Sequence, residues 1–132
     1  MLIGVPREIQ AQENRVGLTP AGIRALISHN HSVLVEQGAG LGSGITDSDY
    51  LTAGASLVPT AEEVWGEAEL IWKVNGPRPA EFAHLRKGQL LFSFLHLAPD
   101  RRQTEALLSA GVTAFGFETI QAGPNRPVLA PM

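Results

Sequence analysis

The sequence predicts an α/β fold, an open and largely parallel sheet with helices on both faces. Three observations carry that expectation. Segments of strand and helix character alternate along the whole chain, and the resulting βα units have lengths typical of parallel sheets. The composition, 44% hydrophobic and 17% charged over 132 residues, is that of a globular chain. No repeat, low-complexity segment or internal boundary interrupts the pattern, so residues 1–132 are read as a single domain.

Residues 2–6, "LIGVP", form a short apolar run closed by proline and predict the first strand. A polar stretch from Arg7 to Leu18 follows, long for a strand-to-helix connection. "TPAGIRALISHN" (19–30) reads as a helix, with Thr19 at the N-cap, Pro20 in the first turn and Ile23, Leu26 and Ile27 on one face. "HSVLVEQ" (31–37) is a strand that runs into the glycine-rich "GAGLGSG" (38–44). A short helix over 46–55 has Asp or Thr at its start and Gly54 at its end. "SLVP" (56–59) is a brief strand.

Thr60 and Glu63 have capping-box spacing before a helix over Ala61–Ala68, whose apolar face is Val64, Trp65 and Ala68. "ELIWKV" (69–74) is a strand ended by Gly76-Pro77, and "AEFAHLRKG" (80–88) a short helix ended by Gly88. Leu90 to Leu95 predicts a buried strand, and a helix follows from about Pro99 to Ala110 with Gly111 beyond it. "VTAFGFETI" (112–120) reads as a last strand and 121–132 as loop.

Composition narrows the functional classes. A formal charge of −3 with scattered Lys and Arg offers no basic stripe for nucleic acid. The apolar runs fall far short of the roughly 20 residues of a membrane span, and the N-terminus lacks a signal-peptide pattern. The absence of cysteine removes disulfides and thiolate metal sites and fits a reducing compartment. A cytoplasmic location is expected. The histidines have no metal-ligand spacing, so no metal site is expected.

Ligands of open α/β sheets bind beyond the carboxyl ends of the strands. Three such ends carry candidate residues here: Arg15 in the long first loop, Lys73 and Asn75 at the end of the 69–74 strand, and His96 after the 90–95 strand. A guanidinium can grip a carboxylate bidentately, and an imidazole can move a proton near neutral pH. From the residues alone, an arginine in a polar loop such as Arg15 is usually a solvated surface residue, and a strand-end histidine such as His96 is more often a hydrogen-bonded packing residue. The glycine-rich stretch fails the dinucleotide pattern. Starting at Gly38, position 43 is Ser43; starting at Gly40, position 45 is Ile45; and no long apolar helix follows.

Taken together, "GVPREIQAQENRVGLTPAGI", "VLVEQGAGLGSGITDSDY", "VWGEAELIWKV", "LLFSFLHLAPDR" and "VTAFGFETIQ…LAPM" resemble the alanine dehydrogenases, in order and over essentially the whole chain. The proton-translocating transhydrogenase α chains share this N-terminal domain, but lack the histidine of "FLHL". The resemblance implies a Rossmann-like substrate domain of an enzyme that oxidises L-alanine to pyruvate and ammonia with NAD. It implies that Arg15 binds the substrate carboxylate and that His96 is the general acid/base.

Where the family reads K-V-K-E-P this chain reads "KVNGP", which puts Asn75 at a substrate-binding lysine, as in the transhydrogenase chains. Lys73, two residues earlier on a strand, is expected to reach toward the missing ammonium. Lesser departures are Ala11-Gln12 in the signature and Ser28-His29-Asn30, where a glycine is usual. The resemblance further implies that the NAD-binding domain, its acidic catalytic partner and a segment completing the substrate domain lie outside this chain. This chain alone is then expected to be inactive and to bind no cofactor, while full-length relatives form homo-oligomers. A transhydrogenase-like or degenerate binding or assembly module is the alternative.

Overall fold

Six parallel strands form one open sheet in the order β3-β2-β1-β4-β5-β6. They are β1 (Leu2–Val5), β2 (Ser32–Glu36), β3 (Ser56–Val58), β4 (Leu70–Asn75), β5 (Leu90–Phe94) and β6 (Thr113–Gly116). The computed structural model describes residues 1–127; the end of the loop expected over 121–132 lies outside them. This strand order reverses between β1 and β4. Doubly wound sheets open a ligand crevice at such a switch point.

Among the described residues, four α-helices cover the sheet: α1 (Pro20–Ser28), α2 (Asp47–Ala53), α3 (Ala61–Glu67) and α4 (Arg101–Ala110). The core divides accordingly. Ile3, Val5, Val33 and Val35 pack with Ile23 of α1 and Tyr50 and Ala53 of α2. Ile71 and Leu91 pack with Val64 and Trp65 of α3 and Leu107 of α4. Gly4, between Ile3 and Val5, explains how both faces stay tight at β1. A Cβ there would stand 2.6 Å from Ala68 Cβ and 2.8 Å from a Val64 methyl, so α3 lies directly on the backbone.

Local chemistry sets the boundaries. Thr19 Oγ1 accepts the Gly22 N–H and Pro20 opens α1. Thr46 and Asp49 form a complete capping box on α2, and Gly54 closes it at φ +101°. The box at Thr60 is half formed. Its hydroxyl accepts the Glu63 N–H, while the Glu63 carboxylate turns to that same hydroxyl and not to the backbone. Asn30 adopts φ +62°, a left-handed conformation that asparagine tolerates.

Three expectations are corrected. The 80–88 helix is a 3-10 helix over Pro79–His84. The helix expected from Pro99 begins at Arg101, because Asp100 is its cap and accepts the Gln103 N–H. The last strand stops at Gly116 and turns into a 3-10 helix over Phe117–Thr119, because Glu118 is drawn back to the end of β5.

The long loop after β1 is packed against its surroundings. Tyr50, fully buried, donates its hydroxyl proton to the Leu18 carbonyl at 2.9 Å. Gly17 lies against β4, where a Cβ would collide with the Trp72 carbonyl oxygen. Gly17→Ala is therefore expected to lower stability by about 1–3 kcal/mol, as overpacking does. Urea unfolding of the two proteins measures this.

Candidate functional site

The carboxyl ends of β1, β4 and β5 meet at the crevice, and the residues there are bound to one another. Glu13, in the loop after β1, is the connector. It accepts Arg15 Nε and Nη2 on its two oxygens, each at 2.8 Å, and the Arg15 backbone N–H at 3.0 Å. Asn75 Nδ2 donates to Glu13 Oε2 at 2.7 Å. Hydrogen bonds and charge from Arg15, with help from Asn75, pull the Glu13 carboxyl down to about 2. Arg15 spends two of its five N–H donors on Glu13, and its side chain remains 54% exposed, so a second anion can still approach its free edge.

Asn75 stands opposite Phe94 in the β4–β5 pairing, and Gly76 N–H donates to the Phe94 carbonyl at 2.9 Å. The His96 ring stacks on Phe94 with centroids 5.5 Å apart and planes 14° from parallel. His96 itself has φ +45°, a conformation rare outside glycine. Glu118 holds it there, accepting the His96 N–H at 2.8 Å and the Leu95 N–H at 3.3 Å. Gln103, buried in α4, donates Nε2 to the Leu95 carbonyl at 2.7 Å. His96 lies two residues beyond the end of β5, where Glu118 and Gln103 hold the turning backbone and the ring stays exposed.

A cavity of about 420 Å³ lies beside these residues, with Asn75, His96, Phe94, Arg78, Gln103 and Gln10 in its wall. A neighbouring cavity of about 480 Å³ contains Arg15, Glu13 and Gln10. The structure thus places Asn75 and His96 on one cavity and joins Arg15 to it through Glu13.

Lys73 is elsewhere, a correction to the expectation that it reaches toward the position of residue 75. Its ammonium is wholly buried, 2.7 Å from Glu81 Oε1 and 3.4 Å from Glu8 Oε2. The reason is local. The β4–β5 register shifts between Trp72 and Asn75, so simple alternation does not carry through this stretch. Glu8 Oε1 also accepts the Val74 N–H at 2.7 Å, and Glu81 Oε2 accepts the Arg78 N–H at 2.8 Å. Burial raises the Glu8 pKa despite the attraction of Lys73.

Glu8, Glu13, Phe94, Gln103 and Glu118 are the residues that sequence reasoning passed over. Glu13 left a faint signal, an acid two residues before the candidate arginine; Glu118, in the run expected as strand, left none. The glycine-rich stretch turns out to be a buttress. A Cβ on Gly42 would meet the Asn14 backbone at 2.8 Å, and Ser43 Oγ donates to the Asn14 carbonyl at 2.7 Å. Among the described residues, no group of three His, Cys, Asp or Glu could hold a metal ion. No helix there is long and apolar enough to cross a membrane.

The fold and crevice define a doubly wound α/β domain with an arginine, an amide and a histidine at its switch point. The family profile described as "Alanine dehydrogenase/PNT, N-terminal domain" matches residues 4–132, and the chain belongs to that family. An alanine dehydrogenase of Methanococcus maripaludis is 50% identical over the whole chain and 36% of its own length. A solved L-alanine dehydrogenase superposes with a TM-score of 0.96 at 46% identity, over 99% of this chain and 36% of that one. A transhydrogenase from Sinorhizobium meliloti gives 0.86 at 30% identity, over 92% and 34%. The chain therefore spans about a third of the length of the relatives it matches.

Two outcomes are expected. Lys73→Met strands two buried carboxylates and should cost about 3–5 kcal/mol in urea unfolding, most of it regained in Glu8→Gln/Lys73→Met/Glu81→Gln. Glu13, depressed in the fold from 4.5 to about 2, contributes stability that is present above pH 4.5 and lost as pH falls toward 2. Glu13→Gln should flatten the acid limb of the stability profile in that window, measured by thermal unfolding against pH.

Proposed function

We propose that this chain is the substrate-binding part of an NAD-dependent alanine dehydrogenase, which converts L-alanine and water to pyruvate and ammonia. The observation that carries this reading is the joining of His96, Asn75 and Arg15 at the switch-point crevice. Arg15 presents its free guanidinium edge to the substrate carboxylate, oriented by Glu13. Asn75, one amide hydrogen committed to Glu13, offers its remaining polar groups to the same ligand. His96 moves the proton at the substrate amine or the carbonyl oxygen. Lys73 serves the substrate indirectly, by tying Glu8 and Glu81 beneath the site.

The residues described do not fit a dinucleotide. The glycine-rich stretch is filled by Asn14, Ile45 and Tyr50, and the first turn of α2 carries Asp47 and Asp49, which would repel a pyrophosphate. In this reading NAD is held by the part of the relatives' length that this chain does not span, and no step through NAD is assigned to these residues.

Pyruvate titrated into the chain should shift the His96 ring resonances saturably. Unmoved resonances at tens of millimolar pyruvate would falsify the site. In the dehydrogenase that contains this domain, His96→Gln should lower kcat by about a hundredfold or more, read from NADH formation with alanine.

A further inference from the structure

Arg15, Lys73 and Arg78 stand at or beneath the crevice, and the first two are each paired with carboxylates. Arg15 is bidentate on Glu13, and Lys73 is buried between Glu8 and Glu81. Arg78 differs. It lines the cavity that holds His96 and Asn75, it is exposed, and among the described residues no carboxylate oxygen lies within 4.0 Å of its guanidinium. The same cavity contains Asp100, whose Oδ1 is engaged as the cap of α4 by the Gln103 N–H.

Arg78 also stands on a rigid mount. Pro77 and Pro79 flank it, each with φ fixed by its ring, and Pro77 is wholly buried. Its N–H donates to Glu81 Oε2 at 2.8 Å and its carbonyl accepts the Glu81 N–H at 2.7 Å. Glu81 is itself fixed by the buried Lys73 ammonium at 2.7 Å. An exposed arginine usually moves with its loop. Here the backbone is tied to the most buried charge of the domain while the side chain is left free at the cavity, the arrangement expected of a side chain kept for a ligand.

We propose that Arg78 is a second carboxylate-binding residue of this site, on the His96 side of Asn75, and that it helps to select small carboxylic acids. The proposal rests on reading the cavity as a keto-acid and amino-acid site. Glu13 partly neutralises Arg15, so the guanidinium that faces the His96 cavity with no carboxylate in contact is that of Arg78, with the Asp100 carboxylate in the same wall. Its planar fork suits a carboxylate better than an ammonium would.

The test is pyruvate titration of the wild-type chain and of Arg78→Gln and Arg78→Lys, followed on the His96 resonances, with thermal unfolding of each as a check on folding. Arg78→Gln should weaken pyruvate binding by about tenfold or more at an unchanged unfolding midpoint, with Arg78→Lys intermediate. If wild-type and Arg78→Gln bind pyruvate alike, this assignment is overturned while the site itself stands. If the wild-type chain binds no pyruvate, the functional reading falls and the assignment with it. Should Arg78→Gln unfold, Arg78→Lys decides: folded and binding more weakly than wild type supports the fork, and equal binding overturns it.

Discussion

The buried ammonium of Lys73 is the constraint on which the crevice depends. Removing a lysine charge from water costs several kcal/mol even after relaxation, and only close anions offset that. Lys73 has two, Glu8 from the loop after β1 and Glu81 from the 3-10 helix after β4. Each carboxylate has a second task, since Glu8 also accepts the Val74 N–H and Glu81 the Arg78 N–H. One charge on the central strand therefore fixes the segments on either side of the switch point. The cluster is over-supplied with anions, and Glu8 bears the consequence: the loss of solvent outweighs its attraction to Lys73 and raises its pKa. As a carboxyl raised in the fold, Glu8 contributes stability that is present below pH 4.5 and lost as pH rises through its folded pKa. That is the opposite sense to Glu13.

At the end of β5 a second carboxylate solves a backbone problem. A histidine at φ +45° is strained, and such strain persists only where surrounding structure over-determines it. Glu118 supplies that by accepting two successive N–H groups, and the residue before its turn must be small. A Cβ on Gly116 would lie 2.8 Å from Glu118 Oε2, so the glycine belongs to the mechanism that presents His96. The same contact shortens β6.

Much of the fold was legible because it follows from short-range rules. The caps at Thr19 and Gly54, the proline opening α1 and the apolar face of α3 all act within a few residues, and each element appears where those signals put it. Strand order was not legible, since nothing local says that β4 pairs with β1. The identities of Arg15, Asn75 and His96 as candidates came from their places at strand ends and from resemblance. Their supports did not, because Glu13–Asn75 and Glu118–His96 are contacts across 62 and 22 residues. Lys73 shows the limit of a periodicity argument. Period-two alternation is a property of a regular strand, and β4 is irregular over the residues where the inference was made.

These supports share one logic, in which each group facing the crevice is aimed by another group behind it. Arg15 has Glu13, Asn75 has Glu13, and His96 has Glu118 and Gln103. A ligand arriving at such a site meets side chains whose orientation has already been settled on folding, so less ordering remains to be done on binding. The acids that do the aiming also cancel much of the positive charge they aim. In the proposed function a carboxylate is the ligand and some cation must be left unpaired for it, which makes the distribution of carboxylates around the crevice as consequential as that of the arginines. Glu13 and Glu81 then act as partitioning residues: one tempers Arg15, and the other holds only the backbone of Arg78 and leaves its guanidinium charge whole.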